Sequence, residues 1–493
     1  MENNFDKIFQ YSLLPSESLF KKELLGDFIN ICHNTQFNTR IGDNMPFSLY
    51  LIELMVFMCD LLAINRVNVA DINSNDVVVC NCYAFAFYNS GVGKGRTYNI
   101  LHDLFKPVRE KMKENFETKK IALITAIQLQ NLPKNQERQE IKEINKQMTY
   151  VNSQSDFTRA GIRNIYDAYL YFDKPIGGLF QYFDEFSDYL VSLKGNTLKN
   201  DALSAMYGLY DKGKLGGSAL ADRKIAEMDF FPVNLLGVSH FVTLIEKNIF
   251  NEFVGRLNGG LARRSLFACE SQKELDLLKN KSKINHRENP LGFLQENDKP
   301  FDYESFNYLQ NYLIQIIKNS RINNCLILNE DAKIIYKLYV KECKDRAEKT
   351  VDKTLSVEKL NRFWKVLKLS AVFHALNSQL NNNIITCNDI LQSIYIVEYF
   401  GFHLERFLSI IPDTDTDILF NIFNDKIDTW LTVYDIAKHK YFRKINIGNR
   451  YPRQWIIDNM KGVIEYAKYN NCELIREKDK FMLRKVGITA DEL

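Results

Sequence analysis

The stretch "DVVVCNCYAFAFYNSGVGKGRTYNILHDLFKPVREKM" (76–112) constrains this chain more than any other part of it. Residues 76–87 are β-branched, small and aromatic, the pattern of a strand buried on both faces, with Cys80 and Cys82 alternating along it. From Thr97 onward Ile100, Leu101, Leu104, Phe105 and Val108 recur at helical spacing. Between the two lies "YNSGVGKGRT" (88–97). A glycine-rich turn joining a buried strand to a helix is the setting of a phosphate-binding loop. Its successive backbone N–H groups face the phosphates, backed by the positive end of the helix. The usual pattern is G-x-x-x-x-G-K-[ST]. Gly93-Lys94 fits it, but Tyr88 stands where the first glycine belongs and Gly95 where the magnesium-binding hydroxyl belongs. The expected contact residues are Asn89, Ser90, Gly91, Val92, Gly93, Lys94, Gly95, Arg96 and Thr97. Thr97, one turn beyond Lys94, is the candidate substitute hydroxyl, with a water ligand as the alternative. A plain glycine turn is the competing reading.

Two more apolar runs end in polar residues. "GGLFQYFDE" (177–185) delivers Asp184 and then Glu185. That pair suits nucleotide hydrolysis: the Asp holds Mg²⁺ through water and the Glu polarises the attacking water. "FFPVNLLGVSH" (230–240) ends with Ser239, placed to sense a γ-phosphate from the adjacent strand. In "FVGRLNGGLARRSLF" (253–267), Arg263 and Arg264 follow a Gly-Gly turn and precede an apolar run. They read as a surface feature or as an arginine finger reaching a neighbouring subunit's nucleotide, Arg264 ahead of Arg263.

Bulk properties exclude several classes. The chain has 493 residues, room for two to four domains, with 46% hydrophobic and 25% charged content. Its ten prolines and 22 glycines favour long helices over a loop-rich chain. The nine cysteines are scattered without C-x-x-C and read as reduced core residues, which fits a reducing compartment. No His spacing suits zinc. The start, "MENNFDKIFQ", shows no signal-peptide pattern, and "FSLYLIELMVFMCDLLAI" (47–64), which contains Glu53 and Asp60, reads as a buried helix rather than a membrane span. The expected location is cytoplasmic. The charged run 131–147 reads as a solvated helix or one packed on a neighbouring subunit.

Charge is segregated. Residues 426–485 carry a net of +7 where the whole chain is +3, so the remainder is −4. In that tail "TWLTVYDIAKHKYF" (429–442) reads as the first helices of a winged helix and "RYPRQWIIDNMKGVIEYAKYN" (450–470) as its recognition helix. "CELIREKDKFMLRKV" (472–486) reads as a two-stranded wing with a Lys-Asp-Lys turn. DNA contact is the expected use, against protein contact or a solvated basic face.

The stretch "DFTRAGIRNIYDAYLYFDKPIGGLFQYFDEFSDYL" (156–190) resembles the Walker B region of phage- and plasmid-type replicative helicase ATPases. "LYDKGKLGGSALADRKIA" (209–226), "NLLGVSHF" (234–241) and "GGLARRSLF" follow in the order that family has. The last of these and "RFWKVLKLSAVFHA" are also similar to minichromosome-maintenance helicases, so the resemblance, over about 75–405, points to a ring-forming AAA+-like branch. It implies an α/β fold with a P-loop NTPase core (AAA+/RecA-like). The expected layout is an N-terminal helical region (1–70), the ATPase core (71–270, with a helical insertion about 113–157), a helical lid (271–410) and the winged helix (411–493). The implied cofactors are ATP and Mg²⁺. The implied partners are single-stranded or forked DNA, further copies of the chain in a ring taken as hexameric, and a primase, polymerase or single-strand-binding protein, with no membrane. An ATP-driven DNA helicase leads. The alternatives are an ATPase that loads or remodels replication partners without unwinding, and a defence or regulatory NTPase.

Overall fold

The computed structural model describes residues 22–37, 46–72, 76–88, 92–151, 158–216, 218–220, 223–225, 227–240, 247–269, 302–350, 352–410, 414–439, 442, 451–469 and 472–485. Two compact units divide the chain, Met1–Glu405 and Arg406–Leu493. The strands of the first unit are β1 (Asn68–Ala70), β2 (Val77–Val79), β3 (Tyr83–Tyr88), β4 (Leu179–Phe183), β5 (Ser218–Leu220), β6 (Arg223–Ile225), β7 (Val233–His240), β8 (Ser265–Cys269), β9 (Cys325–Leu328) and β10 (Ile384–Ile385).

The unit is α/β, built on a parallel sheet in the order β4-β7-β3-β8. All four strands are runs of apolar and small residues, and all six residues of β3 are buried, as a sheet covered on both faces requires. One cover is the helix Phe47–Ile64, in which only Asp60 and Ile64 are not fully buried. Its Phe57 ring lies 5.4 Å from Phe180 of β4 and 5.3 Å from Phe105. Among the described residues it is the one helix long and apolar enough to cross a membrane, and 89% of it is buried within this unit. On the opposite face Phe85 packs on Phe186, Phe253 and Phe267.

The expected strand over 76–87 is two strands in two sheets. β2 pairs antiparallel with β1, in a small sheet ordered β10-β9-β1-β2, while β3 enters the parallel sheet. The break falls at residues 80–82. There the buried Lys368 ammonium donates to Val79 O (2.9 Å), Asn81 Oδ1 (2.6 Å) and Tyr210 O (2.6 Å), and Asn234 Oδ1 accepts the Cys82 N–H at 2.9 Å. Cys80 and Cys82 lie in this connection, buried and free. The small sheet also draws the region after residue 302 to the start of the chain. One core contains Leu51 and Phe57, Ala84 and Ala86, and Tyr336 and Phe373, so the helices before and after the parallel sheet share its interior.

Those later helices carry a buried ion network. Arg362 donates to Glu358 (2.8 Å), Glu398 (2.7 Å) and Glu405 (3.1 Å), and Lys365 donates to Glu358 at 2.8 Å. Gly401 is required there, because a Cβ on it would come within 2.3 Å of the Arg362 guanidinium. Burial pushes the Glu358 and Glu398 carboxyls up. Arg362, with Lys365 for Glu358 and Arg346 for Glu398, outweighs it and holds both below the usual range.

In the second unit come the helix Thr414–Asn424, β11 (Leu431–Thr432), the helices Val433–Lys438 and Pro452–Tyr469, and the hairpin β12 (Cys472–Glu477) and β13 (Lys480–Lys485). The strands pair antiparallel in the order β11-β13-β12 over a core of Leu419, Phe423, Ile436, Trp455, Ile456 and Leu483. The hairpin turns at Lys478-Asp479.

Removing Arg362 takes the shared cation from two buried carboxylates, leaving Glu358 to Lys365 and Glu398 to Arg346 and Tyr339. Arg362→Ala should therefore cost about 3–5 kcal/mol in a urea unfolding titration. Lys333→Ala, which breaks an exposed pair with Glu330, should cost under about 1 kcal/mol. Because Glu358 and Glu398 are depressed in the folded state, their contribution is present above the unfolded carboxylate pKa of about 4.3 and should fade as pH falls below it.

Candidate active site

Parallel strands place their carboxyl ends along one edge of the sheet, and the expected site residues follow from three of them. β3 ends at Tyr88, β4 at Phe183 and β7 at His240. Tyr88 is extended strand, paired in register with His240, so the missing first glycine imposes no strained backbone. Its hydroxyl lies 2.6 Å from Ser48 Oγ, which pins the strand end to the covering helix. Asn89, Ser90 and Gly91 lie outside the described residues. Gly93 has φ +85°, a left-handed conformation that favours glycine, and caps the helix Lys94–Leu129.

Lys94 folds back over the strand end. Its ammonium donates to Tyr88 O at 3.1 Å and lies 2.9 Å from His240 Nδ1. A protonated lysine has no lone pair, so Nδ1 accepts and the His240 ring proton sits on Nε2. Nε2 approaches Glu185 Oε2 at 3.7 Å. The other oxygen, Oε1, accepts from Ser187 Oγ at 2.5 Å, from the His240 backbone N–H at 3.2 Å and from Ser239 Oγ. Burial pushes the Glu185 carboxyl up, but the bonds from Ser187, Ser239 and His240 outweigh it and hold it below its ordinary value. Glu185 is thus an ionised carboxylate with one oxygen saturated and Oε2 facing His240. Lys94, Glu185 and Ser239 are brought together, and His240 joins them. Sequence reasoning passed over His240, although it closes the quoted run "NLLGVSH" as a polar residue at the same strand end as Ser239.

Asp184 is exposed beside this set, its Oδ1 accepting from Tyr182 OH at 3.0 Å. The Tyr182 ring is stacked on Tyr98 at 3.8 Å. Behind them Glu53 is fully buried, and among the described residues neither carboxyl oxygen has a hydrogen-bond partner. Burial, with Asp184 nearby, pushes it well up. Val92 and Arg96 flank the lysine, half-buried. Thr97 is buried, and its hydroxyl donates to Gly93 O at 3.1 Å. Gly95 is exposed, and a Cβ there would meet nothing within 4 Å. Among the described residues no group of three or more His, Cys, Asp or Glu is arranged to hold a metal. Mg²⁺ does not need such a group, since it is commonly bound through one carboxylate, waters and substrate phosphates, and exposed Asp184 fits that role.

Arg263 and Arg264 lie elsewhere. Ser265, the next residue, pairs with Tyr83, five residues before Tyr88, so the arginines sit roughly 17 Å along the strands from the loop end. Arg264 is buried and bidentate to Asp211, at 3.0 and 2.5 Å, with its third nitrogen on Gly260 O and its guanidinium over the Tyr207 ring. Arg263 reaches the same Asp211 at 3.1 Å and is about one-third exposed. A cavity of about 430 Å³, bordered by Asp211, both arginines and Trp364, opens at this end.

Compared with known families and curated proteins, the chain matches no family model and no curated sequence.

Because space at Gly95 is open and its backbone helical, Gly95→Thr should fold with an unchanged melting temperature and restore the usual hydroxyl. If the loop binds nucleotide as its sequence leads one to expect, binding titrated with and without Mg²⁺ should then tighten in the presence of the ion.

Proposed function

We propose that the chain is an ATP hydrolase of the P-loop class, with an AAA+/RecA-like core and a C-terminal winged helix, working as a ring-forming DNA helicase in a phage- or plasmid-type replication system. The observation that carries this reading is the set Lys94–His240–Glu185–Ser239, hydrogen-bonded through His240 Nδ1, the His240 backbone N–H and the Ser239 hydroxyl, at the carboxyl ends of three adjacent parallel strands behind a glycine-capped helix. Open α/β sheets bind ligands at that edge, and a helix N-terminus favours phosphate.

Each residue has a defined part. Lys94 and the loop amides would bind the β- and γ-phosphates. β7 lies between β3 and β4, and its buried Ser239, with the hydroxyl on Glu185 Oε1, would sense a γ-phosphate through that carboxylate. Glu185, anchored through Oε1, offers Oε2 to take a proton from the attacking water. Asp184 and water would hold Mg²⁺, which supplies neutralising charge on the phosphates when bound; Thr97 faces Gly93 rather than solvent. For an arginine acting across a subunit interface, Arg263 is the more reachable of the two, since Arg264 is committed to Asp211.

The DNA part of the reading rests on the second unit. Its helix–strand–helix–helix–hairpin order and three-stranded sheet are compatible with a winged helix and support that reading. The hairpin exposes Arg476, Lys478, Lys480, Arg484 and Lys485.

Lys94→Ala should abolish ATP hydrolysis, measured as phosphate release, by removing the point charge aimed at the phosphates. Glu185→Gln should keep ATP bound while turnover falls at least about 100-fold. Wild-type turnover in Glu185→Gln would remove the carboxylate from its assigned role. Strand displacement on a forked substrate separates a helicase from an ATPase that only loads partners.

Deleting residues 411–493 should weaken DNA binding and flatten its salt dependence, each lost phosphate contact lowering the slope of log K against log salt by about one. An unchanged slope would reassign the second unit to protein contact.

A further inference from the structure

Lys94 and Glu185 meet at one residue, His240, whose ring holds the lysine and whose backbone N–H holds the carboxylate. His240 takes the lysine at Nδ1 and turns Nε2 toward the carboxylate, while its own backbone N–H holds the other carboxyl oxygen. It is over one-third exposed, so both ring edges can be reached by a ligand or water. A structural histidine at a strand end has no need to bridge the two groups on which the chemistry depends.

We propose that His240 is a positioning residue that makes the Glu185 side of the site respond to phosphate at Lys94. The inference rests on the ATPase reading above. With no nucleotide bound, Lys94 is held on His240 Nδ1 and Tyr88 O. Phosphate oxygens, being charged acceptors, bind the ammonium more strongly than a neutral ring nitrogen and a carbonyl do, and draw it away. Nδ1 is then left as an acceptor without its donor, on the side of the ring that faced the lysine. It can take a hydrogen from a water whose other hydrogen points to Glu185 Oε2. The water is oriented for attack only after Lys94 has engaged phosphate. The bond to His240 therefore opposes nucleotide binding, and the freed ring promotes turnover.

This arrangement predicts opposite signs for two measurements on one variant. His240→Ala removes a competitor for Lys94, so a fluorescent non-hydrolysable ATP analogue should bind about tenfold tighter by equilibrium titration. The turnover number should fall about tenfold or more, because the water loses its acceptor. Loss of a merely structural residue would weaken binding instead. His240→Asn keeps an acceptor near the Nδ1 position and should return the affinity to the wild-type value. In a Lys94→Ala background, His240→Ala should leave affinity unchanged, since the competition no longer exists. If wild type hydrolyses ATP, Lys94→Ala does not, and His240→Ala matches wild type in both affinity and turnover, the coupling is overturned and the ATPase reading stands. If the wild-type protein binds no adenine nucleotide, both fall.

Discussion

The architecture of the first unit turns on a buried cation. Lys368 spends its three protons on Val79 O, Asn81 Oδ1 and Tyr210 O, and burial pulls its ammonium down to about 8. The carbonyls it satisfies belong to the end of β2, the link to β3 and a distant helix. An apolar run that would otherwise continue as one strand is divided, and its halves enter different sheets. β3 is thereby free to take its central place between β7 and β8, with its carboxyl end on the edge where the glycine-rich loop begins.

The site inherits its order from that placement. Parallel pairing sets Tyr88 against His240 and Phe183 against Gly237, so residues leaving β3 and β7 start side by side and those leaving β4 start three residues short of them. Local chemistry then does the fine positioning. Gly93 supplies the left-handed turn that starts the helix, and three donors fix one oxygen of Glu185. The same parallel geometry carries Arg263 and Arg264 to the opposite edge, where Asp211 neutralises both.

What the sequence made legible was local. Continuous apolar runs marked β4 and β7 with their terminal Asp184, Glu185 and Ser239, and helical periodicity marked Phe47–Ile64 as a core helix. The break at residues 80–82 was not legible, because Asn81 becomes a strand boundary only by meeting a lysine 287 positions away. β9 and β10, of four and two residues, are too short to show a period, so the region after 302 read as helical throughout. Nothing near Arg264 in the sequence announces Asp211, 53 positions earlier, as the carboxylate that occupies it.

The helix that begins at Lys94 runs to Leu129 with Pro107 inside it, 36 residues, or about 54 Å at 1.5 Å per residue. Its first turn carries Lys94. Its last three turns and the helix Lys134–Gln147 that follows are almost wholly solvated, with Ile127 their only fully buried residue. Leu101, Phe105, Met112 and Phe116 hold its first six turns in the core, so only the turns beyond Phe116 form a free arm. A bend of about 5° there displaces the far end by roughly 2 Å over about 13 residues at 1.5 Å each. What that arm presents at the surface is therefore set by the aromatic cluster of Phe116 with Tyr150, Tyr169 and Phe172.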